Sequence, residues 1–328
     1  MKLTIAGRKP EKDGAKKQPL EQRATAGKDF KDSFQAFLAP RLRELKFDLH
    51  LLSKSATSIA GLILLLILIV VAAVPWVFAE PNTPDPYQIP FDKYVPDPLP
   101  PLTEGFLLGS GNNGADIYYG IIWGARLSMS FSIQVVLASV VVGTLLGLVS
   151  GFKGGVIDEM IMRLTDIFLS VPSLILVMAI AAVMGKDLGA TKLALIAVWW
   201  SGYTRLVRGQ VLSIRENSYV DAARASGSGE GRIMLRHILP NSWAPVLVSA
   251  TMDMGTVVLV MAGLSYIGLG AAHGMAEWGV MINDGQKYFV IGYWWMVFFP
   301  GMAILMFVMA FNLLGDGLRD IFDPKMRR

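Results

Sequence analysis

Long apolar runs alternate with short polar segments along most of the chain. The runs approach the roughly 20 residues that an α-helix needs to cross a bilayer, and a soluble domain could not bury so many of them. They predict six membrane-spanning helices, at residues 57–79, 127–150, 163–185, 190–209, 244–270 and 293–315. The predicted fold class is therefore an all-α polytopic membrane protein.

The polar segments divide the chain into five parts. Residues 1–55 form a Lys/Arg-rich tail that contains an amphipathic helix, and residues 56–80 hold the first transmembrane helix. Residues 81–126 form a Pro/Gly-rich segment, whose eight prolines between Pro81 and Pro101 favour an extended path. A five-helix core at 127–315, which contains the long loop 210–243, and a C-terminal tail at 316–328 complete the chain.

The charge distribution predicts how these parts are oriented. Only 17% of the residues are charged, against about a quarter in a soluble domain. With the N-terminus inside, most of the 30 Lys and Arg residues lie on the inner side; the outer segments hold only Lys93, Arg126, Lys186, Lys192 and Lys287. The positive-inside rule then predicts a multi-pass protein of the cell (inner or plasma) membrane with both termini cytoplasmic. The net charge of +4 is thus an orientation signal, and no nucleic-acid partner is expected.

Catalytic and metal-binding patterns are missing from the sequence. There is no cysteine, and His50, His237 and His273 lie in separate segments without metal-ligand spacing. The phosphate-binding Walker A pattern, Gly-x-x-x-x-Gly-Lys-Ser/Thr, does not occur. An intramembrane hydrolase would need a Ser–His, Ser–Lys or paired-Asp arrangement inside the bilayer. We therefore expect no catalytic residue, no metal site and no enzyme activity on this chain.

A few residues inside the predicted spans could carry structure or transport. Gly143, Gly147 and Gly151 form two GxxxG steps, which favours tight helix packing over a flexible gate. Asp253 should face the protein interior or an inner cavity, and Asp166 is interpreted as a partner of Arg163 or an inner-loop residue. An ion-coupled secondary transporter, the alternative function, would pair ionisable residues at mid-membrane and show inverted repeats. The sequence assigns no residue to the substrate pathway.

The loop at residues 210–243 is longer than a connection between two helices requires. Tyr219, Ala222 and Ala223 form a small-residue helical face, three glycines at 227, 229 and 231 interrupt that helix, and Pro240 is predicted to stop the helix that follows. Such a unit offers a shallow docking surface for another protein. An amphipathic loop that only caps the bundle fits the composition equally well.

The loop residues resemble a known family signature. DAARASG followed by HILP is similar to the cytoplasmic EAA motif of ABC importer permeases, with Asp221 in place of the usual Glu and His237 in place of the usual Ile. Further blocks resemble the di- and oligopeptide branch of that family across residues 57–324: GARLSMS, GFKGGVIDEMIMRLTDIFLSVPSLIL, GLSYIGLG, EWGVMINDG, WWMVFFPGMAI and FNLLGDGLRDIFDP. Two outer stretches, GSGNNGAD at 109–116 and GAAHGMA at 270–276, depart from the family pattern.

The resemblance implies a type I ABC importer permease that forms half of a translocation pathway for peptides. It implies a homologous second permease, two separate ATPases that bind ATP and Mg, an extracytoplasmic substrate-binding protein and membrane lipid as partners, with no cofactor on this chain. The ATPase-coupling residues it implies are Tyr219, Asp221, Ala222, Ala223, Gly227, His237, Leu239 and Pro240. Related permeases move dipeptides, oligopeptides, nickel chelates, glutathione or oligosaccharides, so the cargo stays open.

Overall fold

A computed structural model describes residues 56–91, 95–103 and 105–322, and the predicted tails at 1–55 and 323–328 lie outside these ranges. Ten α-helices make up most of the described chain, supplemented by short 3-10 turns at Pro75–Val77 and Asn112–Gly114 and a π-helical segment at Met234–Ile238. The α-helices are α1 (Ala56–Ala73), α2 (Ile117–Lys153), α3 (Gly155–Ser170), α4 (Ser173–Met184), α5 (Leu188–Ile214), α6 (Ser218–Ala225), α7 (Glu230–Ile233), α8 (Leu239–Tyr266), α9 (Trp278–Phe289) and α10 (Trp295–Phe322).

Several of these helices are suited to a membrane. Among the described residues, four helical stretches are long and apolar enough to span one, namely α1, α2, Glu230–Tyr266 and α10; the bent pair α3–α4 brings the number to five if it forms one span. The predicted span 190–209 lies within α5, which is not among them because it carries several polar and charged residues. The multi-span, all-helical prediction is confirmed, whereas the number of six spans and the orientation of the termini stay predictions.

The predicted third span, residues 163–185, is wrong as a single straight helix. The chain bends by 91° between α3 and α4. Val171 is extended there (φ −96°, ψ 136°) and Pro172 caps α4. Proline removes a backbone donor and pushes the preceding residue out of the helical region, which accounts for the break.

The core of the bundle depends on a close approach of α2 to α5. Cβ atoms added to Gly147 and Gly151 would lie 2.6 Å from the Thr204 carbonyl oxygen and 2.8 Å from the Val211 Cβ, so only glycine fits at either position. Gly143 contacts Tyr203 with equally little room. The prediction that the two GxxxG steps pack a neighbouring helix is confirmed.

The Pro-rich segment before α2 follows the extended path that its composition predicts. Ile89 N–H donates to the Gly274 carbonyl at 2.9 Å, and Ala276 N–H donates to the Tyr87 carbonyl at 2.7 Å. The Tyr119 hydroxyl of α2 donates to the Pro86 carbonyl at 2.7 Å. These bonds fasten the segment to α2 and to the chain between α8 and α9.

Candidate functional site

The loop at 210–243 folds into a helix, a glycine turn and a second helical stretch, as the sequence predicts. Helix α6 ends at Ala225, where Gly227 adopts a left-handed conformation (φ +77°). The Gly227 N–H donates to the Arg224 carbonyl at 2.9 Å, and the Ser228 N–H donates to the Ala223 carbonyl at 3.1 Å. These bonds satisfy the carbonyl groups at the end of the helix, in the manner of a glycine C-cap.

The eight predicted coupling residues fall into two groups. Tyr219, Asp221, Ala222 and Gly227 are exposed on or directly after α6, and we call these four the coupling surface. A Cβ atom at Gly227 would meet no other atom within 4 Å, so the space above the turn is open to a partner. Asp221 pairs with Arg224 at 3.2 Å within the helix.

The other predicted coupling residues lie beside this surface or further along the chain. Ala223 is half-buried on α6, and His237 is half-buried in the π-helical segment. Leu239 and Pro240 open α8, where Leu239 is half-buried and Pro240 is exposed. The prediction that Pro240 stops the helix is wrong: α7, the π-helical segment and α8 run on as one stretch, because the π-helical segment directly before Pro240 accommodates the missing proline donor.

Three apolar side chains, which the sequence analysis did not single out, hold the loop in place. Val220 of α6, Ile233 of α7 and Ile238 of the π-helical segment are completely or almost completely buried. Each faces inward while the coupling surface faces outward. The sequence indicates these three positions only weakly. Helix α6, helix α7 and the π-helical segment each contribute a single buried apolar residue, so none of them shows a repeated i, i+3 apolar pattern.

Charged contacts tie the loop to the C-terminal end of α2. Lys153, the last residue of α2, forms an ion pair with Glu230, the first residue of α7. The guanidinium of Arg224 lies over the Phe152 ring, 5.8 Å from its centroid, which is within the range of about 6 Å for cation–π contacts. Helices α6 and α7 of the loop are therefore both attached to α2, and the coupling surface is attached with them.

A second set of contacts, which we call the inner clamp, joins α2, α3 and α5. Arg208 of α5 donates two hydrogen bonds to the Asp158 carboxylate of α3, at 2.6 and 2.7 Å. Asp158 also accepts a hydrogen bond from Ser150, and Arg215 donates to the Gly151 carbonyl at 2.9 Å. A bidentate pair of this kind fixes orientation as well as distance, so the inner ends of three helices are held as a unit.

Asp253 is half-buried and lines a cavity that is partly open to the outside of the chain. Its carboxylate accepts a hydrogen bond of 2.5 Å from the Tyr203 hydroxyl, across the contact between α8 and α5. The cavity has a volume of about 650 Å³ and lies beside the break between α3 and α4. Tyr203 could not be identified from the sequence as the partner of Asp253.

The two stretches that depart from the family pattern meet at the opposite end of the molecule. Asp116 from the first and His273 from the second line one cavity of about 360 Å³, together with Asp284 of α9. Nδ1 of His273 lies 2.6 Å from a carboxylate oxygen of Asp284. Asp116 caps α2 by accepting from the Tyr118 N–H at 2.9 Å, and burial raises the pKa of its carboxyl.

Glu277, beside the second stretch, is completely buried. Its carboxylate caps α9 by accepting from the backbone N–H groups of Gly279 and Val280, at 3.0 and 2.9 Å. Burial raises the pKa of this carboxyl, although the two backbone donors act against the shift. The side chain thus has a structural role at the start of α9.

Comparison with known proteins identifies the family. The profile of the family described as "binding-protein-dependent transport system inner membrane component" matches residues 143–328. This range contains the coupling surface, the Asp253 cavity and the inner clamp.

Curated relatives match a larger part of the chain. It is 40% identical over 276 residues to the dipeptide transport system permease protein DppC of Alkalihalophilus pseudofirmus, covering 84% of this chain and 88% of that protein. It is 40% identical over 269 residues to the probable D,D-dipeptide transport system permease protein DdpC of Escherichia coli K12, covering 82% and 87%. The di/tripeptide transport system permease protein DppC of Pseudomonas aeruginosa is 38% identical over 271 residues, covering 82% and 88%. The chain therefore belongs to the family of binding-protein-dependent inner-membrane transport components, among the permeases of peptide ABC transport systems.

Proposed function

We propose that this chain is one of two different permease subunits of an ATP-driven importer, and that its cargo is a short peptide. In this proposal the chain crosses the membrane six times with both termini in the cytoplasm, forms half of the translocation pathway and has no catalytic site. Two ATPase subunits bind ATP and Mg, and an extracytoplasmic protein delivers the peptide. The names of the relatives support the cargo class, since they refer to dipeptides, D,D-dipeptides and di/tripeptides.

The coupling surface is the observation that carries the ATPase part of the proposal. It is exposed, built from one aromatic, one acidic and two very small residues, and open above Gly227. Small residues allow the backbone of a partner to approach closely. An ATPase groove that receives α6 would use this space.

The contacts behind the surface suggest how movement of the ATPases reaches the membrane. A push on α6 is transferred to α2 by the Lys153–Glu230 ion pair and the stacking of Arg224 on Phe152. The inner clamp then connects α2 with α3 and α5 through Asp158 and Arg208. Helices α3 and α5 line the 650 Å³ cavity, so tilting them as rigid bodies would alter access to it.

Purification of the chain from its native membrane under gentle solubilisation, followed by mass spectrometry, tests the proposal. We expect recovery of ATPase chains and of a second, homologous permease. Proteoliposomes containing this assembly and its binding protein should take up a short peptide only when ATP is present. A homogeneous chain that never co-purifies with an ATPase would overturn the proposal in favour of an ion-coupled secondary transporter.

A further inference from the structure

The 650 Å³ cavity beside the break between α3 and α4 is large enough for a small ligand, since ligand pockets measure roughly 300–1,000 Å³. Helices α5 and α8 form its other walls. Interrupted backbone at membrane depth is tolerated where it is buried in protein or lines a water-filled cavity. The break at Val171 and Pro172 lines this cavity, which places non-helical backbone next to its interior.

Polar groups are gathered on the walls of this cavity although the surrounding helices are apolar. Four serine hydroxyls, at Ser170, Ser173, Ser201 and Ser249, come from four different helices. Asp253 provides the single carboxylate. Ser170 and Ser201 donate to the carbonyl groups of Ile167 and Val198, at 2.8 and 2.7 Å, so their oxygens can accept from a peptide N–H. The hydroxyls of Ser173 and Ser249 can both donate and accept.

The Asp253 carboxylate is held in position by a hydrogen bond. The Tyr203 hydroxyl donates to it at 2.5 Å. Tyr203 is itself buried, with 2% of its surface exposed, and packs on Gly143 of α2. The carboxylate is thus fixed relative to α5 and α2 while it lines the cavity.

No basic residue balances this charge. The residues that line the cavity include no Lys, Arg or His, and no ion pair among the described residues involves Asp253. The two aspartates of α3 differ in this respect: Asp158 and Asp166 each pair with an arginine of α5. A proton relay would need a second carboxylate or a histidine, which the lining lacks. The Asp253 carboxylate, without a basic partner in the cavity lining, is suited to bind a positively charged group of the ligand.

We infer that this cavity is a cargo subsite in which Asp253 binds the ammonium group at the amino terminus of a transported peptide. Tyr203 is a positioning residue that keeps the carboxylate aimed at the ligand, and the serines contact the peptide amides. The inference rests on the proposed function, because it takes the cargo to be a peptide. An ammonium–carboxylate contact is charge-assisted and therefore among the stronger hydrogen bonds.

The test measures equilibrium binding to the purified complex without its binding protein. The probes are radiolabelled L,L- or D,D-dialanine, whichever the complex transports, and the same peptide with an acetylated amino terminus. Asp253→Asn keeps the shape of the side chain and an oxygen that accepts from Tyr203. Glu159→Gln is the matched control, since it removes a carboxylate from an exposed ion pair on α3 that does not line the cavity.

In the wild type, acetylation should weaken binding about tenfold or more, the usual effect of losing one charge-assisted contact. Asp253→Asn should weaken binding of the free peptide by a similar factor, and acetylation should then have little further effect. Glu159→Gln should behave as wild type. Tyr203→Phe should reduce affinity less than Asp253→Asn and should retain the penalty for acetylation, because the carboxylate is still present.

Two results would overturn the inference. One is an acetylation penalty as large in Asp253→Asn as in the wild type, which would show that the two groups do not meet. The other is a wild-type complex that transports dialanine but does not bind it in the absence of the binding protein. Failure of the proposed function is a separate outcome, seen as a wild-type complex without ATP-driven peptide uptake. Co-purification of the ATPases with each variant verifies that it has assembled.

Discussion

The guanidinium of Arg208 holds both carboxylate oxygens of Asp158, at 2.6 and 2.7 Å, although 50 residues separate them in the chain. The pair is largely shielded, with 30% of the Arg208 side chain and 17% of the Asp158 side chain exposed. It joins α5 to α3 directly beneath the loop that carries the coupling surface. Its position suggests that it transmits movement rather than only stabilising the bundle.

Asp158→Asn should therefore uncouple ATP hydrolysis from transport. Losing one partner of a shielded ion pair costs about 1–3 kcal/mol, because the other charge is left unpaired. We expect the variant to retain its ATPases but to transport fewer peptides for each ATP hydrolysed. The ratio is measured by following both activities in proteoliposomes. Glu159→Gln, which breaks an exposed neighbouring pair, should leave the ratio unchanged, and an unchanged ratio in Asp158→Asn would refute a role in transmission.

The ion pairs of α3 also illustrate which contacts the sequence could not reveal. The sequence predicts Asp166 as a partner of Arg163 or as an inner-loop residue; in the structure Arg163 pairs with Glu159 one turn earlier at 2.5 Å, and Asp166 pairs with Arg205 of α5. Charged residues on a helix have several candidate partners at i±3 and i±4, and more across helices. Only the packing of α3 on α5 selects among them. The Tyr203–Asp253 bond was unpredictable for the same reason.

Features encoded locally were accessible from the sequence. The GxxxG steps of α2 specify a close helix contact by spacing alone. The helix, the glycine turn and the second helix of the loop follow from propensity, and the resemblance to the EAA motif selected the exposed residues. The break at Pro172 was also within reach, since a proline near the centre of a predicted span signals an interruption. The continuity through Pro240 was not, because it depends on a π-helical segment.

Gly227→Glu should abolish binding of the ATPases while leaving the chain inserted in the membrane. The site is exposed and meets no atom within 4 Å, so the glutamate side chain has room in the isolated subunit, at the same backbone cost as alanine, but occupies the space of a docked partner. Gly227→Ala separates size from conformation: a left-handed residue other than glycine costs about 1 kcal/mol, and we expect weakened but detectable association. Co-purification with the ATPases is the measurement. A Glu variant that retains both ATPases would show that the coupling surface lies elsewhere.

Gly147→Ala should destabilise the bundle, because its new methyl group would lie 2.6 Å from the Thr204 carbonyl oxygen in the α2–α5 contact. Overpacking of this kind typically costs about 1–3 kcal/mol. Gly209→Ala on α5 is the matched control: its methyl group meets nothing within 4 Å, and alanine favours the helix by about 1 kcal/mol. Thermal unfolding in detergent should show a lower midpoint for the first variant and an equal or higher midpoint for the second. Equal midpoints for both variants would contradict the close packing.

Glu277 supplies a prediction that depends on pH. Burial raises its pKa above the ordinary value of 4.5, so the folded protein binds this proton more tightly than the unfolded chain does. Stability from this group is fully present below pH 4.5 and is lost as the pH rises through the folded pKa. Glu277→Gln keeps an oxygen that can cap α9 but does not titrate. Its midpoint of thermal unfolding, relative to the wild type, should therefore increase as the pH rises from 4.5.

Glu277→Ala separates the capping role from the charge. It removes the acceptor for the Gly279 and Val280 N–H groups, which lie in a buried environment, and loss of an N-cap costs roughly 0.5–2 kcal/mol. We expect its unfolding midpoint to fall below that of Glu277→Gln at every pH. A difference between Gln and wild type that does not change with pH would show that the buried carboxyl titrates alike in the folded and unfolded chain. In that case Glu277 would not contribute to the pH dependence of the unfolding midpoint, and only the Ala variant would measure how much the cap of α9 stabilises the fold.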